Sequence, residues 1–240
     1  MAPRHIFFDF FGTLVTYERG PTTSLTRSGE LIRSLAADMT DARIADEMTA
    51  AWEELEVEAR QTLRELHLYH AMAVVLGRLS LRADTGFVQK FSDIYLEDWA
   101  ESVHAVPGVR EMIKRIDIRA SVVSNTHHPL LVPREIERHG LEGLFDGVWT
   151  SVTHGYRKPH RSIYLRALES TQMPAEQVLF VGDNLECDYQ GPRRVGMNAL
   201  LVAPDPIEGV PEEHRIADIL GLETWLSRRM NSPGAQRGGG

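Results

Sequence analysis

Residues 6–15, IFFDFFGTLV, decide how the rest of the chain is read. Ile6, Phe7 and Phe8 run into a single carboxylate, Asp9; two more aromatics follow, and Gly12-Thr13 breaks the run. An apolar run of this length ended by a turn signal reads as a buried strand, a central one in a parallel sheet. A carboxylate at the carboxyl end of such a strand stands where ligands bind in open α/β sheets. Taken alone, Asp9 is equally well a turn residue. The residues downstream decide between the two.

Residues 16–26 are polar and turn-rich. Helical periodicity then begins, with Leu31, Ile32, Leu35, Ala36 and Met39 on one face. Ile44, Met48, Trp52, Leu55, Ala59, Leu63 and Leu66 step by three or four residues, and similar stripes run from Met72 to Leu79 and from Phe87 to Trp99. No strand is evident between Thr16 and Ser102, so residues 16–102 are predicted to form an all-helical insert of about four helices that buries its own faces. The Trp and Met residues of these stripes read as core.

Pro107-Gly108 marks a return to alternating structure. Helices are predicted over 109–116, 129–139 (stopped by Gly140), 162–170 and 216–229, with a further helical stretch over 189–195. Strands are predicted over 120–124, 148–152, 178–181 and 198–202. This alternation implies βαβ units, a parallel sheet and right-handed crossovers. The expected organisation is a doubly wound α/β core made of residues 1–15 and 103–230, the helical insert at 16–102, and a disordered Pro/Gly/Ser-rich tail at 231–240.

Composition narrows the function. Charged residues make up 25% and apolar residues 42%, as in an ordinary globular protein. A formal charge of -8 without a Lys/Arg cluster argues against nucleic acid and anionic membranes as partners. No run approaches the roughly 20 apolar residues of a membrane span. The lone cysteine, Cys187, excludes an intrachain disulfide. A cytoplasmic monomer or homodimer is expected.

Three apolar strands end in polar groups: Asp9, Ser124-Asn125 and Asp183. In a doubly wound sheet these ends share one edge, and Lys158 lies in a loop after the short third strand. Asp9 and Asp183 on neighbouring strand ends would repel unless a cation lay between them. Mg²⁺ is usually held by one or two carboxylates, waters and phosphate oxygens. Lys158 could pair with Asp9 and with an anionic small-molecule substrate, to which Ser124 and Asn125 would add donors. Each residue has a bland account as a turn or a solvated charge, but four at one edge do not.

This set resembles the four motifs of the haloacid dehalogenase (HAD) superfamily: Asp9 in DFFGTL, Ser124 in VVSNT, Lys158 in GYRKPHRSIY and GDNLECD at 182–188. The similarity spans nearly the whole core in the family's order, and the helical insert falls where the family's type I cap sits. The resemblance implies that Asp9 is a nucleophile forming a covalent intermediate that water hydrolyses. It implies Mg²⁺ held by Asp9, the carbonyl of Phe11 and Asp183. Thr13, Ser124 and Asn125 would contact the transferring group, Lys158 would orient Asp9, and Asp188 would position Lys158 or a metal-bound water.

One departure matters. Most phosphatases of this family carry a second Asp two residues after the nucleophile, a general acid worth about 10²–10⁴-fold, and this chain has Phe11 there. A Mg²⁺-dependent phosphohydrolase would then need a good leaving group or a donor such as His127, His128 or a cap residue. A metal-independent 2-haloacid dehalogenase would need no acid, and Tyr164 matches the spacing of a tyrosine in that group. Asp183 in a phosphatase-spaced motif opposes it, and Arg27, the nearest match to its substrate arginine, reads as solvated. A binding protein with a vestigial site is opposed by the complete set of Asp9, Lys158 and Asp183. Lys90, the insert's one lysine, lies in an apolar-patterned helix and is discounted as a Schiff-base residue. The pair His67 and His70 reads as solvent-facing, Cys187 as packed, and Arg60 and Arg64 as facing either solvent or the cleft.

Overall fold

The structure is a computed structural model and describes residues 3–17 and 26–230. The expected disordered tail at 231–240 lies outside the described residues, as do residues 18–25.

The first strand, β1 (His5–Phe8), is buried along its whole length. A short β2 (Val15–Tyr17) follows. Four helices come next: α1 (Thr26–Arg33), α2 (Asp41–Thr62), α3 (Leu68–Arg78) and α4 (Thr85–Ala100). After β3 (Val103–Ala105) the chain alternates through α5 (Val109–Arg115), β4 (Arg119–Ser124), α6 (Leu131–Arg138), β5 (Val148–Thr150), the single turn α7 (Ser151–His154) and α8 (Arg161–Thr171). It ends with β6 (Val178–Gly182), a π-helical turn at Leu185–Gln190, α9 (Gly191–Arg193), β7 (Asn198–Val202), β8 (Arg215–Ile216) and α10 (Leu222–Met230).

Six strands form a parallel sheet in the order β5-β4-β1-β6-β7-β8. Residues alternate between the faces of a strand, and β1 uses both. Ile6 and Phe8 join Met112, Val132 and Leu222 on one side, whereas Phe7 joins Ile163, Tyr164 and Phe180 on the other. Helices therefore cover both faces, as the continuous apolar pattern of β1 requires. The sheet is the doubly wound core expected from the sequence.

The helical cap has its own core, built from Ile44, Met48 and Ala51 of α2, Met72 and Val75 of α3, and Phe91 and Leu96 of α4. Thr40 accepts the Arg43 N–H at 3.3 Å to start α2, and Asp84 accepts the Phe87 N–H at 2.8 Å to start α4. Three corrections follow. The strand expected over 148–152 ends at Thr150, and Ser151 and Val152 open the turn α7 instead. Thr16 and Tyr17, expected outside any strand, belong to β2, which pairs antiparallel with β3 as a two-stranded strap between core and cap. Its pairing partners lie 86 to 90 residues away, so no local pattern marks it. Ile216, expected to begin the last helix, ends β8, and α10 begins at Leu222.

Candidate active site

Register sets the site. Phe8 of β1 stands beside Val122 of β4 and Val181 of β6. One or two residues farther on, Asp9, Ser124 and Asp183 reach one edge of the sheet. The Asp9 N–H donates to the Val181 carbonyl at 2.9 Å, which fixes the backbone where the strand ends. The chain then turns sharply, because the Phe10 carbonyl accepts the N–H groups of Thr13, Leu14 and Val15 at 3.4, 2.9 and 3.1 Å. Gly12 makes this turn at φ +90°, and the Asp183 carboxylate occupies the space a Cβ would need. Among the described residues no backbone N–H donates to the Phe11 carbonyl.

Asp9 is 6% exposed and is held at both oxygens. Lys158 Nζ donates to Oδ1 at 2.8 Å, and the Thr13 hydroxyl donates to Oδ2 at 3.4 Å. Lys158 Nζ also donates to Asp188 Oδ1 at 2.7 Å. Burial would lower the Lys158 ammonium's pKa, but the charges of Asp188 and Asp9 outweigh it and hold the group above its ordinary value. Burial pushes the Asp188 carboxyl up, with Asp9 adding to the shift and Lys158 opposing it.

Asp188 is placed by the π-helical turn, a geometry often found at functional sites. Asn184 begins that turn, its Oδ1 accepting the N–H groups of Glu186 and Cys187 at 3.1 and 2.9 Å. Asp188 Oδ2 accepts the Asn184 N–H at 3.0 Å and lies over Gly182, where a side chain would collide with it. Ligand oxygens of Asp9, Asp183 and Asp188 lie within 4.8 Å of one another. Three oxygen donors this close, beside an accessible pocket, fit a small hard cation.

Asn125 organises the Lys158 loop. Its Oδ1 accepts the Lys158 N–H at 2.7 Å and its Nδ2 donates to the Lys158 carbonyl at 3.1 Å. The Lys158–Pro159 peptide bond is cis. Ser124 is buried, and its hydroxyl donates at 3.4 Å to the Asn125 carbonyl, a long bond. Asp9, Phe11, Ser124, Asn125, Lys158, Asp183 and Asp188 line one small polar pocket of about 160 Å³, and Thr13 is buried behind it.

A larger cavity of about 490 Å³ lies between cap and core and shares Phe11, Tyr17 and Asn125 with the polar pocket. His127 and His128 line this larger cavity and not the polar pocket. Burial lowers the pKa of His128, whose Nδ1 accepts the Leu130 N–H at 3.2 Å. Trp52 and Trp99, read from the sequence as core, are half-buried and line the same cavity. The buried residues Met39, Met48 and Met72 do belong to the cap core.

Sequence reasoning missed a cap-to-core cluster beside Lys158. Arg157 pairs with Glu56 at 2.9 Å and with Glu65 at 2.8 Å, and Glu65 also meets His127 at 3.0 Å and the Ser151 hydroxyl at 2.5 Å. Burial would raise Glu65, but His127 and Arg157 hold its carboxyl down to about 2. Leu63, at φ +54°, ends α2 and turns the chain so that Glu65 N donates to Gly155 O and Arg157 N to Leu63 O. The available signal was Arg157 itself, one residue before Lys158.

The other residues weighed fall outside the polar pocket. Tyr164 is fully buried beneath Gly191, donating to the Cys187 carbonyl at 2.5 Å. Arg27, expected to be solvated, is tied to Asp98 at 2.8 Å and to Glu101 at 2.5 Å within the cap. Lys90 and His70 are exposed, and His67 caps α3 by accepting the Tyr69 N–H at 3.3 Å. Arg60 lies near Glu56 at 3.6 Å and is largely exposed, whereas Arg64 stacks over Tyr156. The Cys187 thiol donates to the Lys158 carbonyl at 3.3 Å, and burial pushes its pKa up to about 12.

Comparison with known proteins agrees with this architecture. A family model described as haloacid dehalogenase-like hydrolase matches residues 3–196. Haloacid dehalogenase-like hydrolase domain-containing protein 3 of Xenopus laevis is 34% identical over 149 residues, which cover 58% of this chain and 60% of the relative. The chain thus spans somewhat over half the length of that relative. A glyceraldehyde 3-phosphate phosphatase of Pyrococcus abyssi is 26% identical, covering 81% of this chain and 79% of its own. Among solved structures, the 2-haloacid dehalogenase of Pseudomonas syringae superposes with a TM-score of 0.68 at 18% identity, covering 95% and 99% of the two chains, a likeness of fold alone.

Proposed function

The chain belongs to the haloacid dehalogenase-like hydrolase family, and from that premise we propose that it is a Mg²⁺-dependent phosphohydrolase of a small phosphorylated molecule, with Asp9 as its nucleophile. The observation that carries this reading is the convergence of Asp9, Asp183 and Asp188 within 4.8 Å, in the pocket that Lys158 also lines. Asp9, Asp183 and the Phe11 carbonyl would hold Mg²⁺. When bound, it supplies charge neutralisation for the carboxylates and for the phosphoryl oxygens.

One Asp9 oxygen attacks phosphorus as the ester P–O bond breaks, its electron pair leaving with the alcohol oxygen. Water then attacks phosphorus, releasing phosphate and freeing Asp9. Lys158 and Thr13 keep the carboxylate oriented through both stages, and the buried Lys158 ammonium offsets charge building on the phosphoryl group. Asp188 positions Lys158. The Ser124 hydroxyl, by turning from its long bond to the Asn125 carbonyl, and the second N–H of the Asn125 amide would donate to phosphoryl oxygens. The Pyrococcus relative, a phosphatase by name, is in keeping with this chemistry.

Phe11 favours a second reading, a metal-independent 2-haloacid dehalogenase, because halide departs without a proton. Against it, the polar pocket is lined by no arginine among the described residues and by three carboxylates. Purified protein assayed on phosphate esters and acyl phosphates, with Mg²⁺ or chelator, and in parallel on 2-haloacids, separates the two. Phosphate release that needs Mg²⁺ and is lost in Asp9→Asn is the expected result. Halide release that persists in chelator would overturn it.

A further inference from the structure

The position of the absent general acid is filled by a ring that belongs to an aromatic wall. Phe11 meets Trp99 at 5.3 Å and Tyr17 at 5.9 Å between ring centroids, both edge-on. Phe11 and Tyr17 line both the polar pocket and the 490 Å³ cavity, so the cavity begins where the leaving group of a phosphate held at Asp9 would lie. Beyond them the wall continues through Trp52, Tyr95, Leu96 and Leu131. The volume is that of a small-molecule site, and its lining suits a flat apolar group.

Resting on the phosphohydrolase reading, we propose that the substrate is an aryl phosphate, its ring seated in the cap–core cavity and its phosphate at Asp9. Two independent features meet in this assignment. A phenol has a pKa of about 10, against about 16 for water, so a phenolate departs without being protonated in flight. The absence of a carboxylic acid at position 11 then costs little for an aryl ester, and a great deal for an alkyl one. Asp9 oxygen bonds to phosphorus, the P–O(aryl) bond breaks, and its electron pair leaves on the phenolate, which takes a proton from bulk water. Hydrolysis of the aspartyl phosphate balances the reaction as aryl phosphate plus water to phenol plus phosphate.

Four substrates separate the two features in the protein with Mg²⁺: phenyl phosphate (ring, acidic leaving group), benzyl phosphate (ring, alkoxide), acetyl phosphate (no ring, acidic) and glycerol phosphate (neither). Phenyl phosphate is expected to exceed benzyl phosphate at least 100-fold in kcat, and to have a KM at least ten-fold below that of acetyl phosphate. Phe11→Asp is expected to narrow the phenyl-to-benzyl gap at least ten-fold, and Thr49→Trp, which fills the cavity, to raise the phenyl phosphate KM at least ten-fold more than that of acetyl phosphate. Equal kcat for phenyl and benzyl phosphate, or equal KM for phenyl and acetyl phosphate, would overturn the proposal while leaving the phosphohydrolase reading intact. No phosphate from any of the four, acetyl phosphate included, would remove that reading and this one with it.

Discussion

The Asn125 side chain clasps the Lys158 peptide at two points, its Oδ1 accepting the Lys158 N–H at 2.7 Å and its Nδ2 donating to the Lys158 carbonyl at 3.1 Å. The strand end of β4 thus fixes where the Lys158 ammonium is delivered. Each hydrogen bond is worth about 0.5–1.5 kcal/mol. Asn125→Ala is therefore expected to lower kcat for phosphate release by roughly 10- to 100-fold, following that energy through the rate. Asn125→Asp, which keeps the acceptor and loses the donor, should fall between the two. Steady-state kinetics on the three proteins measures this, and equal rates would show that the clasp does not position Lys158.

Lys158 itself is 2% exposed and bridges two buried carboxylates. Lys158→Met leaves both without their partner, and breaking a buried pair in this way costs about 3–5 kcal/mol. Denaturant titration in chelator should show that loss. Adding Asp188→Asn should recover part of the stability and none of the activity. Recovery of both would mean that Lys158 serves the fold alone.

Asp183 ends the β6 run, and its carboxylate lies against Gly12 beside Asp9 and Asp188. Asp183→Asn should weaken Mg²⁺ binding at least ten-fold by isothermal calorimetry, with the fold kept. In the parent protein Mg²⁺ should raise the melting temperature, since a ligand bound only to the folded state stabilises it. An unchanged melting temperature in saturating Mg²⁺ would contradict the assigned site.

Acid should loosen the cap through Glu65. Its carboxyl has an ordinary value of 4.5 and is held down to about 2 in the fold, where burial opposes and His127 and Arg157 favour the charged form. The folded value is the lower one, so the contribution is complete above about pH 4.5 and is lost as pH falls towards 2. At 1.36 kcal/mol per unit this amounts to roughly 3 kcal/mol. Denaturant midpoints between pH 5 and pH 2 should fall more steeply in the parent protein than in Glu65→Gln.

The core was legible in the sequence because its strands are buried on both faces and carry unbroken apolar runs: 178–181 and 198–202 appear almost as expected. The convergence of Asp9, Ser124 and Asp183 at one candidate site was legible for the same reason, since each ends such a run. The strap β2–β3 was not, because three residues paired across 86 to 90 positions carry no local period. Nor was the cavity. A tryptophan on a helical stripe has the same spacing whether its ring meets another helix or open space, and Trp52 and Trp99 meet both. The Arg157–Glu65 pair shares this property, as two distant charges show no pattern until the αL turn at Leu63 brings them together.

Cys187 offers a reporter of the site loop. Burial pushes its thiol up to about 12, and Sγ donates to the Lys158 carbonyl at 3.3 Å, so the thiol is engaged by the loop that carries the ammonium. Only the thiolate is alkylated, and the ordinary value of a cysteine thiol is 9.0. The difference lowers the thiolate fraction about 1,000-fold at neutral pH, so iodoacetamide should modify Cys187 about that much more slowly than a small thiol. Denaturant should abolish the protection. Asn125→Ala, by loosening the Lys158 loop, should raise the alkylation rate well before global unfolding, whereas a surface variant such as Arg60→Ala should not. Mass spectrometry of timed reactions follows this directly, and rapid labelling of the native protein would mean that the π-helical turn opens freely in solution.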